Sequence, residues 1–438
     1  MKYFIETYGC QMNVHDSERM AGLLEQAGYE AAPEAEAADV VVINTCSVRD
    51  GAENKLYSRL GEIRAAGLES GHDPVVAVAG CVAQQEAGAL LRRSSLIDVV
   101  VGTQSLKQLP ALISRASQDA APRIDVNPYE DVSFPLGVAR RFDPVKAYVT
   151  IIEGCNEFCS FCVVPYTRGH ERMRPKRDIV AEAAQAAAEG HKEIQLLGQI
   201  VNHYQAPDDE ACDFAGLLEA VHEVPGVERI RFASPHPRHV PTRLLEAMRD
   251  LPKVCKHLHL PVQSGSTRVL EAMRRRYTRK SYLELVDTVR SMIPGVALTT
   301  DMIVGFPTET ETDFEETMSL ARAVQYESIY SFKYSPRPNT LALKKMPEDV
   351  TDADKTRRIV ALQAQQRDIQ IALHTAALGS REDVLVDAVS RRREWELQGR
   401  TEGNSVVNFP GPKEWLGRIV PVRITRAAAN SLGGEPCS

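Results

Sequence analysis

Short apolar runs alternate with amphipathic helical stretches almost from end to end of the chain, a pattern that predicts βαβ units and parallel sheets. In the first part YFIETY, DVVVINT, VVAVAG and IDVVVG read as buried strands, and SERMAGLLEQAG and ENKLYSRLGEIRAAG between them carry the helical period. Gly28 closes the first helix as a C-terminal cap. A small flavodoxin-like or Rossmann-like parallel sheet over residues 1–120 is expected, followed by a linker rich in Pro, Asp and Asn over about 119–143.

The alternation then repeats six times, with AYVTIIEG, EIQLLGQ, RIRFASP, KHLHLPVQ, ALTTDMIVGFP and ESIYSFKYSP as strands. Six β/α units are too few for a closed eight-fold barrel. An open three-quarter (β/α)6 barrel over 140–372 is expected, with its site at the C-terminal ends of the strands. A long helix over about 351–375 leads into DVLVDAV, EWELQGRT, SVVNFPG and RIVPVRITRA, short β runs that predict a small antiparallel, OB-like β-barrel over 376–438. Trp395 and Trp415 both lie in it. The fold class is α/β with a closing all-β domain.

Composition narrows the chemistry. At 438 residues, 43% hydrophobic and 25% charged, the chain reads as an ordinary soluble globular protein. No apolar run approaches the ~20 residues of a membrane span, and MKYFIETYGC lacks the regions of a signal peptide; the expected place is the cytoplasm. Nine cysteines, an odd number over a long chain, point away from a disulfide framework and toward metal or redox chemistry. A net charge of −7 argues against a general nucleic-acid binder, so any RNA contact must be local. The basic stretches Arg168–Arg177 and Arg268–Lys280 are candidates, set against the plainer reading of solvated helix faces.

Directly after the first barrel strand comes Cys155-Asn-Glu-Phe-Cys159-Ser-Phe-Cys162. Three thiols so close can each ligate a different iron of one cubic cluster and leave the fourth iron open. A structural zinc site would want a fourth protein ligand, and the nearest candidate in sequence, His170, stands at an unusual spacing. A second set, Cys10, Cys46 and Cys81, is scattered in sequence, yet each follows a strand: TYGC, VINTC and AVAGC. Strand ends of a parallel sheet share one edge, so these thiols can converge, although a lone cysteine at a strand end is most often a small buried residue. Cys212, Cys255 and Cys437 fit no ligand pattern.

The C-x3-C-x2-C spacing with Phe161 before the last cysteine resembles the radical-SAM superfamily. Together, TYGCQMN, the spaced cysteines, CSFCVVPYTRG, LHLPVQSGS, IVGFP-x-E and SPRP are similar to the methylthiotransferase family. YTRG, GRTEGNSVVNFPG and NSLGGE resemble its MiaB-type branch, and residues 376–438 resemble its TRAM RNA-binding domain.

The resemblance implies two [4Fe–4S] clusters. One sits on Cys155, Cys159 and Cys162 and binds S-adenosylmethionine (SAM) at its open iron; an auxiliary one sits on Cys10, Cys46 and Cys81. SAM would be used twice, as methyl donor and as source of a 5′-deoxyadenosyl radical, because an adenine C–H is not acidic. The product would be a methylthio group on C2 of N6-isopentenyladenosine beside the anticodon, tRNA position 37. Phe161, Gln199, Gln263, Ser264, Ile303 and Val304 would lie about the cofactor, with Met302 beside them, and Arg391, Arg392 and Arg393 would meet RNA. An electron donor such as flavodoxin, a sulfur or cluster supply system and a monomeric state are implied too. Rival readings are a threonylcarbamoyladenosine-directed relative, a sibling that modifies a ribosomal-protein aspartate, and a non-enzymatic RNA-binding iron–sulfur carrier. Departures from the family pattern are Ile200 in LLGQIVNHY, where an amide is usual and the loss of its hydrogen bonding implies altered tuning, and Thr308 at a common glycine position with Asn339 and Leu341 in the loop after SPRP, where shifted loops are expected.

Overall fold

The computed structural model describes residues 1–47, 51–119, 121–128, 137–390 and 393–437. They gather into two compact units, one made of Met1–Phe142, Ile152–Glu157 and Cys162–Arg174, the other of Asp143–Ile151, Phe158–Phe161 and Pro175–Ser438. Among the described residues no helix is long and apolar enough to cross a membrane.

The first unit is built on six parallel strands: β1 (Lys2–Tyr8), β2 (Glu30–Ala31), β3 (Val40–Thr45), β4 (Val75–Gly80), β5 (Val99–Val101) and β6 (Arg123–Asp125), in spatial order β2-β1-β3-β4-β5-β6. The strands β3, β4 and β5 are mostly apolar because both faces are covered, β3 ending in the buried polar pair Asn44 and Thr45. Val40, Val42, Ala77 and Ala79 pack with Met20, Leu24, Leu109 and Ile113, while Val41, Ile43, Val76 and Val78 pack with Leu56, Leu60 and Leu90. β6 lies in the stretch read as linker; three residues, two of them charged, leave no periodic signal. Tyr8 pairs with Thr45 and Thr45 with Gly80, so β1, β3 and β4 end level at one edge.

In the second unit, β7 (Lys146–Thr150) opens the barrel. The antiparallel pair β8 (Ile152–Glu153) and β9 (Arg172–Met173) that follows belongs to the first unit. The barrel continues with β10 (Glu193–Leu197), β11 (Arg229–Phe232), β12 (His257–His259), β13 (Ala297–Val304) and β14 (Ser328–Lys333). All six expected strands form, as two parallel sheets β7-β10-β11 and β12-β13-β14, linked by a bridge between Ile230 and Val254. The helix Asp352–Ala376, capped by Thr351, then leads to a closed barrel of β15 (Arg381–Val389), β16 (Glu396–Arg400), β17 (Val406–Pro410), β18 (Ile419–Ala427) and β19 (Leu432–Pro436), in order β15-β16-β17-β19-β18. The sequence pattern marked four of these strands. The fifth, LGGEP, has a single large apolar residue, and it pairs parallel with β17, an exception in an otherwise antiparallel barrel.

Two arginines of β11 seat this barrel. Arg229 donates to the carbonyls of Arg400 and Asp383, both at 2.5 Å, and Arg231 donates to those of Thr401 (2.6 Å) and Glu402 (2.9 Å). Arg231 also pairs with Glu193 at 2.8 Å, both side chains buried. Glu327 joins in by accepting from Ser405 (2.8 Å) and meeting His374 (3.2 Å).

Candidate metal centres and active site

The level ends of β1, β3 and β4 bring the first three cysteines together. Cys46 and Cys81 directly follow β3 and β4, Cys10 lies two residues past β1, and the Cys46 N–H donates to Tyr8 O at 2.8 Å. Gly80 makes the last turn possible: its φ is +91°, and a Cβ there would lie 2.2 Å from Asn44 Oδ1. Buried Asn44 bonds Asn13, whose Oδ1 accepts from the Cys10 N–H and thiol, both at 3.3 Å.

Cys46 shares hydrogen bonds with both Cys10 and Cys81, and these, with burial, push its thiol up, so it keeps its proton. The same bond, against burial and helped by the Arg168 guanidinium, draws Cys10 down to about 5 and Cys81 to about 7. Arg168 is itself buried, and although burial opposes its charge, Asp16 at 2.6 Å outweighs that. No group of three His, Cys, Asp or Glu among the described residues stands at the geometry of a bound single ion. Three reduced thiols on one edge in cationic surroundings do suit a thiolate-held iron–sulfur group.

The second triad hangs on a loop fixed at several points. Gly154, with φ +81°, lets the backbone pass His170 O, 2.1 Å from where a Cβ would be, and the Cys155 N–H donates to Gly169 O at 3.1 Å. Within the first unit, Glu153 before the loop pairs with Arg19 at 2.9 Å, and Arg168 after it pairs with Asp16. Thr103 and Gln104 donate to the carbonyls of Thr167 (2.6 Å) and Arg168 (2.9 Å). Within the second unit, Ser160 bonds Ala272 O (2.7 Å) and Met273 O (3.0 Å), and Phe161 packs against Val269, Met273, Phe306, Tyr334 and Ala342. Cys159 Sγ accepts from buried Arg275 at 3.3 Å, and Arg275 is steadied by Tyr277 and Pro261 O, both at 3.0 Å.

Arg168, Arg174 and Arg275 are buried, and Arg268 is held by Asp313 and Thr308 O. For these residues this corrects the phosphate-facing reading of the two basic stretches: Arg168 and Arg275 serve the thiols and Arg268 a loop. Arg177, Arg274, Arg276 and Lys280 stay exposed.

The other expected residues are distributed as follows. Gln199, after β10, has a buried Oε1 without a hydrogen-bond partner. Ile200 is buried, and Asn202 is committed to the next loop, bonding the His236 and His239 carbonyls and the His236 N–H. Gln263 adopts φ +72°, its N–H on Asp301 O and its carbonyl taking the Ile303 N–H. Ser264 is buried against Thr317 at 3.4 Å. Strand alternation puts Ile303 on one face of β13 and Met302 and Val304, both fully buried, on the other. Arg391 and Arg392 fall outside the described residues; Arg393 pairs with Glu396 at 2.9 Å.

One residue was not anticipated. His236, after β11, is buried, its Nδ1 accepts from the Arg238 N–H at 3.2 Å, and its Nε2 has no partner. Burial and the nearby Arg275 push it down to about 2, so it is neutral. Its only sequence signal is SPHP at a strand end.

Comparison with known proteins places the whole chain. Residues 2–102 match the model described as Uncharacterized protein family UPF0004, 149–321 that of the Radical SAM superfamily, and 376–437 that of the TRAM domain. The tRNA-2-methylthio-N(6)-dimethylallyladenosine synthase of Chromobacterium violaceum is 46% identical over 99% of this chain and 98% of its own length; that of Solibacter usitatus is 43% identical over 99% and 97%. Among solved structures, the radical S-adenosylmethionine methyltransferase TsrM from Kitasatospora setae aligns with a TM-score of 0.57 at 14% identity, over 89% of this chain and 79% of that one, a likeness of fold. The chain therefore belongs to the radical-SAM methylthiotransferase family, among the tRNA-2-methylthio-N(6)-dimethylallyladenosine synthases.

Proposed function

We propose that the chain is a tRNA methylthiotransferase that places a methylthio group on C2 of N6-isopentenyladenosine at tRNA position 37. The observation that carries this reading is a pair of reduced cysteine triads, one at three level strand ends and one on a single loop, in a chain that parallels synthases named for this product over nearly its whole length. Cys155, Cys159 and Cys162 would hold the [4Fe–4S] cluster that binds SAM, and Cys10, Cys46 and Cys81 the auxiliary one. When bound, the two clusters supply the electron that splits the SAM sulfonium and the sulfur that reaches the base.

The remaining work falls to the chain's own side chains. The hydrogen bond from Cys46, and after it the charge of Arg168, draw Cys10 and Cys81 toward the thiolate form that ligates iron. Arg275 donates to Cys159. Phe161, Gln199, Gln263, Ser264, Ile303 and Val304 are proposed around SAM, the buried Val304 through its backbone. Arg391, Arg392 and Arg393 are proposed to meet RNA. The domain limits proposed are 1–120, 140–372 and 376–438, and the setting is a cytoplasmic monomer fed by an electron donor such as flavodoxin and a sulfur supply system.

The test is an anaerobic reaction of reconstituted protein on prenylated tRNA, scored for deoxyadenosine and for 2-methylthio nucleoside. Ala at Cys155, Cys159 and Cys162 should abolish both products. Ala at Cys10, Cys46 and Cys81 should leave deoxyadenosine and remove the methylthio nucleoside. Methylthiolation at the wild-type level in the second variant refutes the auxiliary role.

A further inference from the structure

The barrel contains a row of groups of which only Ile303 has been given a role above. His257 and His259 on β12, Thr299, Asp301 and Ile303 on β13, and Tyr330 and Phe332 on β14 share one face by register: His259 pairs with Thr299, Asp301 with Tyr330, and Ile303 with Phe332. The opposite face of β14 meets the helix Asp352–Ala376, where Gln363 bonds Ser331 at 3.1 Å and Lys333 bonds Thr356 at 2.7 Å. The shared face is therefore the side away from the helices, the inside of the open barrel. A packed core would bury large rings here, yet Tyr330 is 52% and Phe332 39% exposed.

The row is also organised for hydrogen bonding. Thr299 Oγ1 meets His257 at 3.1 Å and His259 at 3.0 Å, which fixes the second imidazole. His259 Nε2 in turn lies 3.5 Å from Asp301 Oδ2, and its ring meets the Tyr330 ring edge-on with centroids 5.8 Å apart. Asp301 keeps 30% of its side chain exposed, so one face of a fixed acceptor stays open beside the rings. Tyr330 and Phe332, two residues apart on one strand, project the same way about 6.6 Å apart. Roughly twice the ~3.4 Å stacking distance, that gap admits one planar base.

We propose that the inner face of β12–β14 reads the target nucleobase, an N6-alkylated adenine stacked between Tyr330 and Phe332 with its N6–H donated to Asp301, which His259 orients. This rests on the function proposed above. A secondary amine has one N–H to give, and a carboxylate without a free proton can only accept. Unstacked RNA bases are held by aromatic rings in this way. The positions are specificity-determining, and of them only His259 falls within a motif, LHLPVQSGS.

The experiment uses the reconstituted full chain with a prenylated anticodon stem-loop, and in parallel a stem-loop carrying fluorescent 2-aminopurine at the target position. Tyr330→Ala and Phe332→Ala should each lower kcat/KM on the order of tenfold, the scale of one lost stacked ring, and weaken the 2-aminopurine quench. Tyr330→Phe, which keeps the ring, should recover most of the loss, and Asp301→Asn should lower kcat/KM with the quench retained. Ser331→Ala, on the helix side, is the control for strand damage. Wild-type kcat/KM and quench in a Tyr330→Ala/Phe332→Ala double variant would overturn the proposal. If the wild type quenches the probe but forms no methylthio product, the functional reading fails while this site stands.

Discussion

Replacing Arg231 by Met should unseat the closing barrel. The side chain satisfies three acceptors at once: the Glu193 carboxylate at 2.8 Å and the carbonyls of Thr401 and Glu402 at 2.6 and 2.9 Å. Methionine keeps the apolar stem and removes every donor. Glu193, 2% exposed, would be left as a buried charge without its counter-ion, a loss of about 3–5 kcal/mol. Each orphaned carbonyl adds on the order of 1 kcal/mol, not independently of the first loss. Trp395 and Trp415, the only two tryptophans, both belong to the closing barrel, so tryptophan fluorescence in a urea titration follows its unfolding. The Arg231→Met midpoint should fall by the amount that several kcal/mol implies, while an Arg231→Met/Glu193→Leu double variant should recover at least about 2 kcal/mol, since an apolar pair fills a buried ion-pair site well. A single variant within about 0.5 kcal/mol of wild type, or a double variant as weak as the sum of both singles, would refute the argument.

Thr308 holds φ +69°, a conformation that a β-branched residue adopts at a cost of about 1–3 kcal/mol; Thr308→Gly should raise the thermal midpoint by the equivalent of about 1 kcal/mol net of chain entropy, and a lowered midpoint would refute it. His374 is raised above its usual range, first by its bond to Glu327, and burial only partly opposes this. Its contribution is full below the ordinary imidazole value near 6.5 and is lost as pH rises through the raised value. For Glu327, burial pushes up, but bonds from His374 and Ser405 prevail and hold it down, so its share is lost only as pH falls through the lowered value. Barrel unfolding followed by tryptophan fluorescence should therefore weaken from pH 6 toward pH 9 and lose that slope in Glu327→Gln; a flat profile in the wild type contradicts this.

Sequence reading reached the parts of the molecule that leave periodic or spacing signals. Four of the six strands of the first sheet, all six barrel strands and four of the five closing strands were legible because their apolar patterns are strong. β2, β6 and β19 were not, being short and polar or glycine-rich; the first two add to the outer edges of the sheet, and β19 closes the barrel between β17 and β18. The two cysteine triads were legible from spacing and strand ends. Arg168 and Arg275 were misread because a run of basic residues looks alike in sequence whether its members face solvent or a buried thiol. At the departures Thr308 and Asn339 a shift was expected, yet both residues adopt the left-handed backbone a glycine would take, with φ +69° and +67°. Asparagine accommodates that conformation readily and threonine does not. The Asp301–Tyr330 row was invisible because it comes from register between strands.

The helix Gln11–Gln26 begins directly after Cys10 and carries Asp16 and Arg19 three residues apart, hence on one face. Those two side chains grip Arg168 and Glu153, the residues that bracket the C-x3-C-x2-C loop. One rigid rod thus serves as a common gauge for a thiol of the first triad and for both flanks of the second. Its tolerance is angular. Inserting or deleting a single residue between Cys10 and Asp16 turns the gripping face by about 100°, releasing both flanks together while every cysteine and every strand stays intact. Length polymorphism should accordingly be found in the loops after Gln26 and not in the first two turns of this helix.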